Sequence, residues 1–238
     1  MRLQLLLPTQ RAREAFVVEA LQSLAGTAGS QPRVLDVGCG EANLHPRLQP
    51  LCRSIVGCDV DARDVARAAR GGGDYRVAEA AHLPWADHAF DAVLCLEAIE
   101  HIVDVAGALS EIARVLRPGG TLILTCPSAN FPFTYDPLHW LLGRRLLPVG
   151  AYAYGHTWLP TEGEIRTALS VAGFTDVGVT GLTGSLAAFP EAYWAGLAQR
   201  LFKANSGNGA GGPTRPTLRP SRGTPSVGMG FVALRGGE

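Results

Sequence analysis

The sequence predicts an α/β fold in which helices cover both faces of a mostly parallel sheet. Three observations carry this expectation. Short, nearly continuous apolar runs recur along the chain, segments of helical periodicity separate them, and glycines or aspartates stand where many of the runs end. No internal repeat is visible.

The elements follow in order. Residues 9 to 25 read as an amphipathic helix, with Thr9 as N-cap and Gly26 as its stop. Residues 33 to 37 (Arg-Val-Leu-Asp-Val) form a first strand that runs into Gly38-Cys39-Gly40. A helical stretch interrupted by Pro46 and Pro50 leads to a second strand at 54 to 59. A helix over 61 to 70 ends at Gly71-Gly72-Gly73, and residues 75 to 78 make a short third strand. The fourth strand, 90 to 96, is apolar enough to be buried on both faces. A helix over 104 to 116 presents Val105, Leu109, Ile112, Val115 and Leu116 on one side. Pro118-Gly119-Gly120 then turns the chain into a fifth strand at 121 to 126. Thr161 and Glu164 form a capping box that opens a helix ending at Gly173. A sixth strand over 174 to 183, a helix over 188 to 202 and a terminal strand over 226 to 235 complete the chain.

Composition limits the class of molecule. At 238 residues, 47% of them hydrophobic, the chain fits one domain with a substantial core. The single domain divides into an N-terminal helix (1–30), a core (31–126), an aromatic segment (127–160), C-terminal sheet and helices (161–202 and 227–238) and an insertion (203–226). Residues 203–226 are rich in Gly, Pro and Ser and are expected to be disordered. Equal numbers of basic and acidic residues, 21 each, argue against a nucleic-acid partner. That neutrality is an average. Lys203, Arg215, Arg219 and Arg222 lie in the insertion without an acid, which leaves the rest of the chain mildly acidic. Five cysteines with no Cys-x-x-Cys pair read as reduced, buried thiols. Leu5–Leu7 before Pro8 is too short for a signal-peptide core, and no run approaches a membrane span, so a cytoplasmic location is expected. Oligomeric state is not legible.

Chemistry concentrates at the strand ends. Asp36-Val37-Gly38-Cys39-Gly40 places a carboxylate and two glycines where a ligand can approach the backbone. Asp59, at the tip of the second strand, is placed to accept hydrogen bonds from both hydroxyls of a ribose. A dinucleotide fingerprint would require glycine at position 43, where Asn43 stands, so NAD or FAD is disfavoured. The glycines alone also suit a tight turn that binds nothing.

Several segments together resemble the class I S-adenosylmethionine-dependent methyltransferases, specifically the type 11 methyltransferase domain. They are Val34-Leu35-Asp36-Val37-Gly38-Cys39-Gly40, Gly57-Cys58-Asp59, Leu83-Pro84-Trp85 with Phe90-Asp91-Ala92-Val93, and Leu116-Arg117-Pro118-Gly119-Gly120. The resemblance implies a Rossmann-like sheet of seven strands, the last antiparallel and inserted beside the fifth. It implies S-adenosyl-L-methionine as cofactor. Asp36, Gly38 and Gly40 would line its methionine part, Asp59 its ribose and Glu79 its adenine, with Leu96 completing the set. Glu79 stands where the family usually has Asp, and Ala42 replaces the family's third glycine.

The stretch Glu97-Ala98-Ile99-Glu100-His101 is the candidate for activating an acceptor. On a helical turn, positions 97, 100 and 101 share one face and would present two carboxylates and an imidazole. This Glu-x-x-Glu-His stretch resembles that of ubiquinone-biosynthesis O-methyltransferases and of small-RNA 2′-O-methyltransferases. The resemblance implies a divalent cation such as Mg held by Glu97, Glu100, His101 and a later histidine, His156, with His139 as second choice. His101 as a metal-free base and His101 as a structural residue both stay open. His45, His82 and His88 have no evident partners and read as surface residues.

Residues 131 to 158, rich in Phe, Tyr, Trp and Pro, read as an acceptor pocket or as a hydrophobic cap on the sheet edge. Leu141, Leu142, Leu146 and Leu147 around Arg144 and Arg145 add peripheral membrane contact as a third reading. The function expected is methyl transfer to a small-molecule acceptor, at an oxygen of an aromatic or lipid-like compound. The alternative is a catalytically inactive cofactor-binding protein that serves as a partner or regulator.

Overall fold

The structure, a computed structural model, describes residues 8–128, 159–182 and 228–237. Within them, β1 (Arg33–Val37), β2 (Ser54–Asp59), β3 (Tyr75–Val77), β4 (Phe90–Leu96), β5 (Leu116–Pro127), β6 (Phe174–Gly181) and β7 (Gly228–Arg235) join in one sheet. The strand order is β3-β2-β1-β4-β5-β7-β6. Every neighbouring pair up to β5 is parallel. β7 runs antiparallel to both β5 and β6, as the resemblance implied, with Leu122 opposite Ala233 and Thr180 opposite Gly230.

Helices α1 (Pro8–Ala28), α2 (His45–Leu48), α3 (Ala62–Ala69), α4 (Val105–Val115) and α5 (Glu162–Val171) connect or flank the strands. Side-chain alternation along the strands divides the core between the two faces of the sheet. Leu122 and Leu124 of β5 point to one side with Leu35 and Val93, against Leu109 and Ile112 of α4 and Ile165 and Leu169 of α5. Ile123, one residue out of step, lies with Val34, Ala92 and Leu94 against Val17 and Leu21 of α1 and Leu48 of α2. Fully buried leucines and isoleucines of this kind contribute about 1.5–3 kcal/mol each relative to exposure.

Most boundaries match the sequence pattern, and the caps explain why. Asp61 accepts from the Arg63 amide at the start of α3, Asp104 from the Gly107 amide at the start of α4, and the Thr161–Glu164 capping box opens α5. α1 is longer than expected. Pro8 is accommodated at its first turn, so Thr9 lies inside the helix, and the helix continues through Gly26 to Ala28. The expected helix at 188 to 202, the disordered insertion at 203–226 and the aromatic segment at 131 to 158 lie outside the described residues.

Two of the motifs serve the scaffold. Asp91 accepts from the Arg33 amide at 2.8 Å and from the Arg117 guanidinium at 2.6 Å, tying β4 to its neighbours at the N-terminal end of β1. Arg114 of α4 donates to the carbonyls of Leu83 and Trp85 and pairs with Glu111 and Asp87. Those contacts pin the loop between β3 and β4, and Trp85 packs edge-on against Phe90. All five cysteines are free thiols; four are buried and Cys39 is half-buried.

Candidate functional site

The site forms where β1, β2 and β4 end, because parallel strands bring their C-terminal ends to one edge of the sheet. After Val37 the chain turns at Gly38, whose φ of +78° is left-handed, and again at Gly40, with φ of +52°. A Cβ at Gly38 would stand 2.6 Å from the Ala98 Cβ, so the turn packs directly on the segment that follows β4. The Gly38 and Cys39 amides both donate to the Cys58 carbonyl, at 2.8 and 3.0 Å. Asp59 braces the same turn. One of its oxygens accepts from the Gly40 amide at 2.9 Å and the other from the Asp61 amide at 3.0 Å. Each oxygen keeps acceptor capacity for a ligand hydroxyl.

Two depressions meet at Gly38. One, of about 510 Å³, is lined by Asp59, Val60, Glu79, Ala98 and His101. The other, of about 310 Å³, is lined by Asp36, Gly40, Asn43, Leu96 and, from α1, Arg13. The structure therefore brings Asp36, Gly38, Gly40, Asp59, Glu79 and Leu96 to the walls of adjoining depressions. Glu79 stands at the rim with its side chain 77% exposed, 3.8 Å from His82. Burial, followed by the charge of Asp36, raises the Cys39 thiol far above its usual range, so this sulfur is a protonated lining group rather than a nucleophile.

Next to the turn lies a chain of polar side chains, buried at Asp36 and His45 and half-buried at Tyr75. Asp36, only 5% exposed, meets the His45 Nε2 at 2.9 Å, and the His45 Nδ1 meets the Tyr75 hydroxyl at 2.8 Å. The imidazole also stacks on the Tyr75 ring, with centroids 5.4 Å apart. His45 is thus not a surface residue: it is 4% exposed, because the first turn of α2 directs it under the glycines. His88 is exposed, but its Nδ1 is 3.2 Å from the Leu116 carbonyl and 2.5 Å from the Arg235 guanidinium.

The Glu97–His101 stretch departs from the expected geometry. Glu97 adopts a left-handed conformation, φ +51°, and only residues 99–101 form a turn, which is of the tighter 3₁₀ kind. The spacing that aligns positions i, i+3 and i+4 on an α-helix therefore does not apply. Glu97 forms an ion pair with Arg13 of α1 at 2.9 Å. Glu100 is fully buried; burial first, and then the charge of Glu97, push its carboxyl up to about 8. His101 is exposed on the wall of the larger depression. Among the described residues no group of three His, Cys, Asp or Glu side chains is arranged to hold a metal ion. His156 and His139 lie outside the described residues.

Three residues of the site, Arg13, His45 and Tyr75, escaped the sequence reading. Nothing local marks them, because their partners are far away along the chain. Nor is any helix among the described residues long and apolar enough to cross a membrane.

Comparison with known proteins bears on the same region. Residues 35–124 match the methyltransferase-domain family. A Mycolicibacterium smegmatis protein named a probable S-adenosylmethionine-dependent methyltransferase is 34% identical over 143 residues, covering 59% of this chain and 51% of its own. A ubiquinone biosynthesis O-methyltransferase of Rhizobium rhizogenes is 31% identical over 163 residues, covering 63% and 62%. The chain thus spans about half to three-fifths of the length of these relatives. Among solved structures, an S-adenosylmethionine-dependent methyltransferase of Thermotoga maritima shares the fold, with a TM-score of 0.59, 16% identity and coverage of 94% and 91%.

Proposed function

We propose, from the match of residues 35–124 to the methyltransferase-domain family, that the protein transfers a methyl group from S-adenosyl-L-methionine to a small-molecule acceptor. The observation that carries the reading is the braced turn itself. Gly38 lets the turn pack on Ala98, Gly40 leaves the backbone open to a ligand, and Asp59 fixes the turn while keeping free lone pairs at the neighbouring strand end. On this reading Asp59 accepts the ribose hydroxyls and Glu79, at the rim, faces the adenine edge. The methionine part lies over Gly38 and Gly40 toward Asp36 and Leu96.

The acceptor class we favour is an oxygen of an aromatic or lipid-like compound; the O-methyltransferase named among the relatives supports it. The bound cofactor supplies an electrophilic methyl group on a sulfonium centre. The protein holds the acceptor oxygen in line with that carbon; the carbon–sulfur bond breaks as the carbon–oxygen bond forms. His101, exposed on the wall of the cleft, takes the hydroxyl proton. Glu100, buried in the same turn and protonated near neutral pH, shapes the segment that presents His101. A divalent cation on Glu97, Glu100, His101 and His156 is the less supported variant, since Arg13 already holds Glu97. Activity that survives EDTA unchanged would eliminate it.

Calorimetry with S-adenosylhomocysteine tests the central reading. Binding in the micromolar range is expected, and Asp59→Ala should weaken it about 10- to 100-fold, the loss of hydrogen bonds to a charged group. No binding at millimolar concentration would overturn the proposal. Turnover then needs an acceptor, sought among phenols, catechols and lipids with labelled cofactor. Binding without turnover on any of them would favour the regulatory alternative.

A further inference from the structure

We infer that His45 and Tyr75 are positioning residues that orient the Asp36 carboxylate toward the α-ammonium group of the cofactor's methionine moiety, an inference that rests on the function proposed above. Asp36 lines the depression under Gly38 and Gly40 and is nonetheless nearly inaccessible to solvent. One of its oxygens is held by His45 at 2.9 Å. The other, also buried, meets no donor among the described residues. A buried anionic oxygen without a donor costs free energy, and a cationic N–H group of a ligand, directly or through a water, is the chemistry that relieves it.

The hydrogen-bond chain decides which way the network points. Burial, and then the nearby Cys39 and Asp36, raise the Tyr75 phenol above its ordinary range, so its hydroxyl keeps its proton. A carboxylate only accepts, so the His45 Nε2 carries the hydrogen that bonds Asp36, and Nδ1 is left to meet the Tyr75 hydroxyl. Stacking between His45 and Tyr75 fixes the ring plane, and with it the rotation of the carboxylate. Tyr75 opens β3, His45 opens α2 and Asp36 lies near the end of β1, so three elements specify one oxygen atom.

The test compares two probes in calorimetry on the full chain. S-adenosylhomocysteine carries the ammonium group; 5′-methylthioadenosine has the same nucleoside and lacks the amino-acid part. His45→Ala is expected to weaken S-adenosylhomocysteine about tenfold and leave 5′-methylthioadenosine unchanged. Tyr75→Phe should act in the same direction by a few-fold, and His45→Gln, whose amide can replace the Nε2 donor, should restore most of the loss. Equal weakening of both probes, or of neither, in His45→Ala would overturn the inference. Should His45→Ala fail to fold, Tyr75→Phe reads the same ratio through its few-fold loss, and equal weakening of both probes, or of neither, there would overturn the inference as well. Wild-type protein that binds neither probe would instead refute the proposed function, so the two failures are distinct.

Discussion

Replacing Glu100 by Gln should stabilise the protein progressively as pH rises. Glu100 is fully buried, and its carboxyl is pushed from an ordinary value of 4.5 up to about 8. Because the folded state binds this proton more tightly than the unfolded state, the stability it contributes is complete below about 4.5. It is lost as pH climbs and exhausted above about 8. One proton corresponds to about 1.4 kcal/mol per pH unit, so the loss between pH 5 and pH 8 comes to roughly 3–4 kcal/mol. Glutamine has the shape of the neutral acid and no proton to lose. Urea unfolding of both proteins in the presence of a chelator, at pH 5, 6, 7 and 8, provides the comparison. The two should lie within about 1 kcal/mol of each other at pH 5 and diverge by roughly 3 kcal/mol by pH 8. Parallel curves would show that Glu100 titrates alike in both states and that burial does not penalise its charge.

Other substitutions test the scaffold around the site. Gly38→Ala places a Cβ 2.6 Å from the Ala98 Cβ in a left-handed conformation, and should cost about 1–3 kcal/mol in thermal or urea unfolding while abolishing S-adenosylhomocysteine binding. Thr161→Ala removes the capping box of α5 and should cost about 1 kcal/mol of unfolding free energy with no change in ligand affinity. Arg13→Ala breaks the ion pair with Glu97, whose partners are each about a quarter exposed, and should lower stability by less than about 1 kcal/mol. High salt should mask that difference; a larger, salt-independent loss would mean that Arg13 matters through packing.

The strands were legible because a parallel sheet covered on both faces must be apolar at successive positions, and β1, β2 and β4 are. Their glycine and aspartate ends followed from the same pattern, since the C-terminal edge is where the backbone must turn and meet a ligand. The insertion of β7 between β5 and β6 was not written in any local pattern. It came from resemblance to a family, because pairing across about a hundred intervening residues leaves no periodic trace. Two errors share one cause. The shared face expected for positions 97, 100 and 101 assumed α-helical backbone, which the left-handed Glu97 interrupts. His45 looked solvent-exposed because its partners, Asp36 and Tyr75, lie 9 and 30 residues away. Backbone handedness at a single residue and side-chain burial set by distant segments are both tertiary facts.

The position of β7 also bears on how the chain comes into being. β5 closes its open side, and β6 finds its ladder, only when residues 228–235 arrive. During synthesis the order β3-β2-β1-β4-β5 can assemble as parallel units while β5 still presents an unpaired edge to whatever lies nearby. The interval is long, because about a hundred residues separate the end of β5 from the start of β7. An emerging chain of this kind is a natural client for factors that shield strand edges. A ribosome stalled before residue 228 would carry five of the seven strands as a sheet that lacks the strand joining β5 to β6.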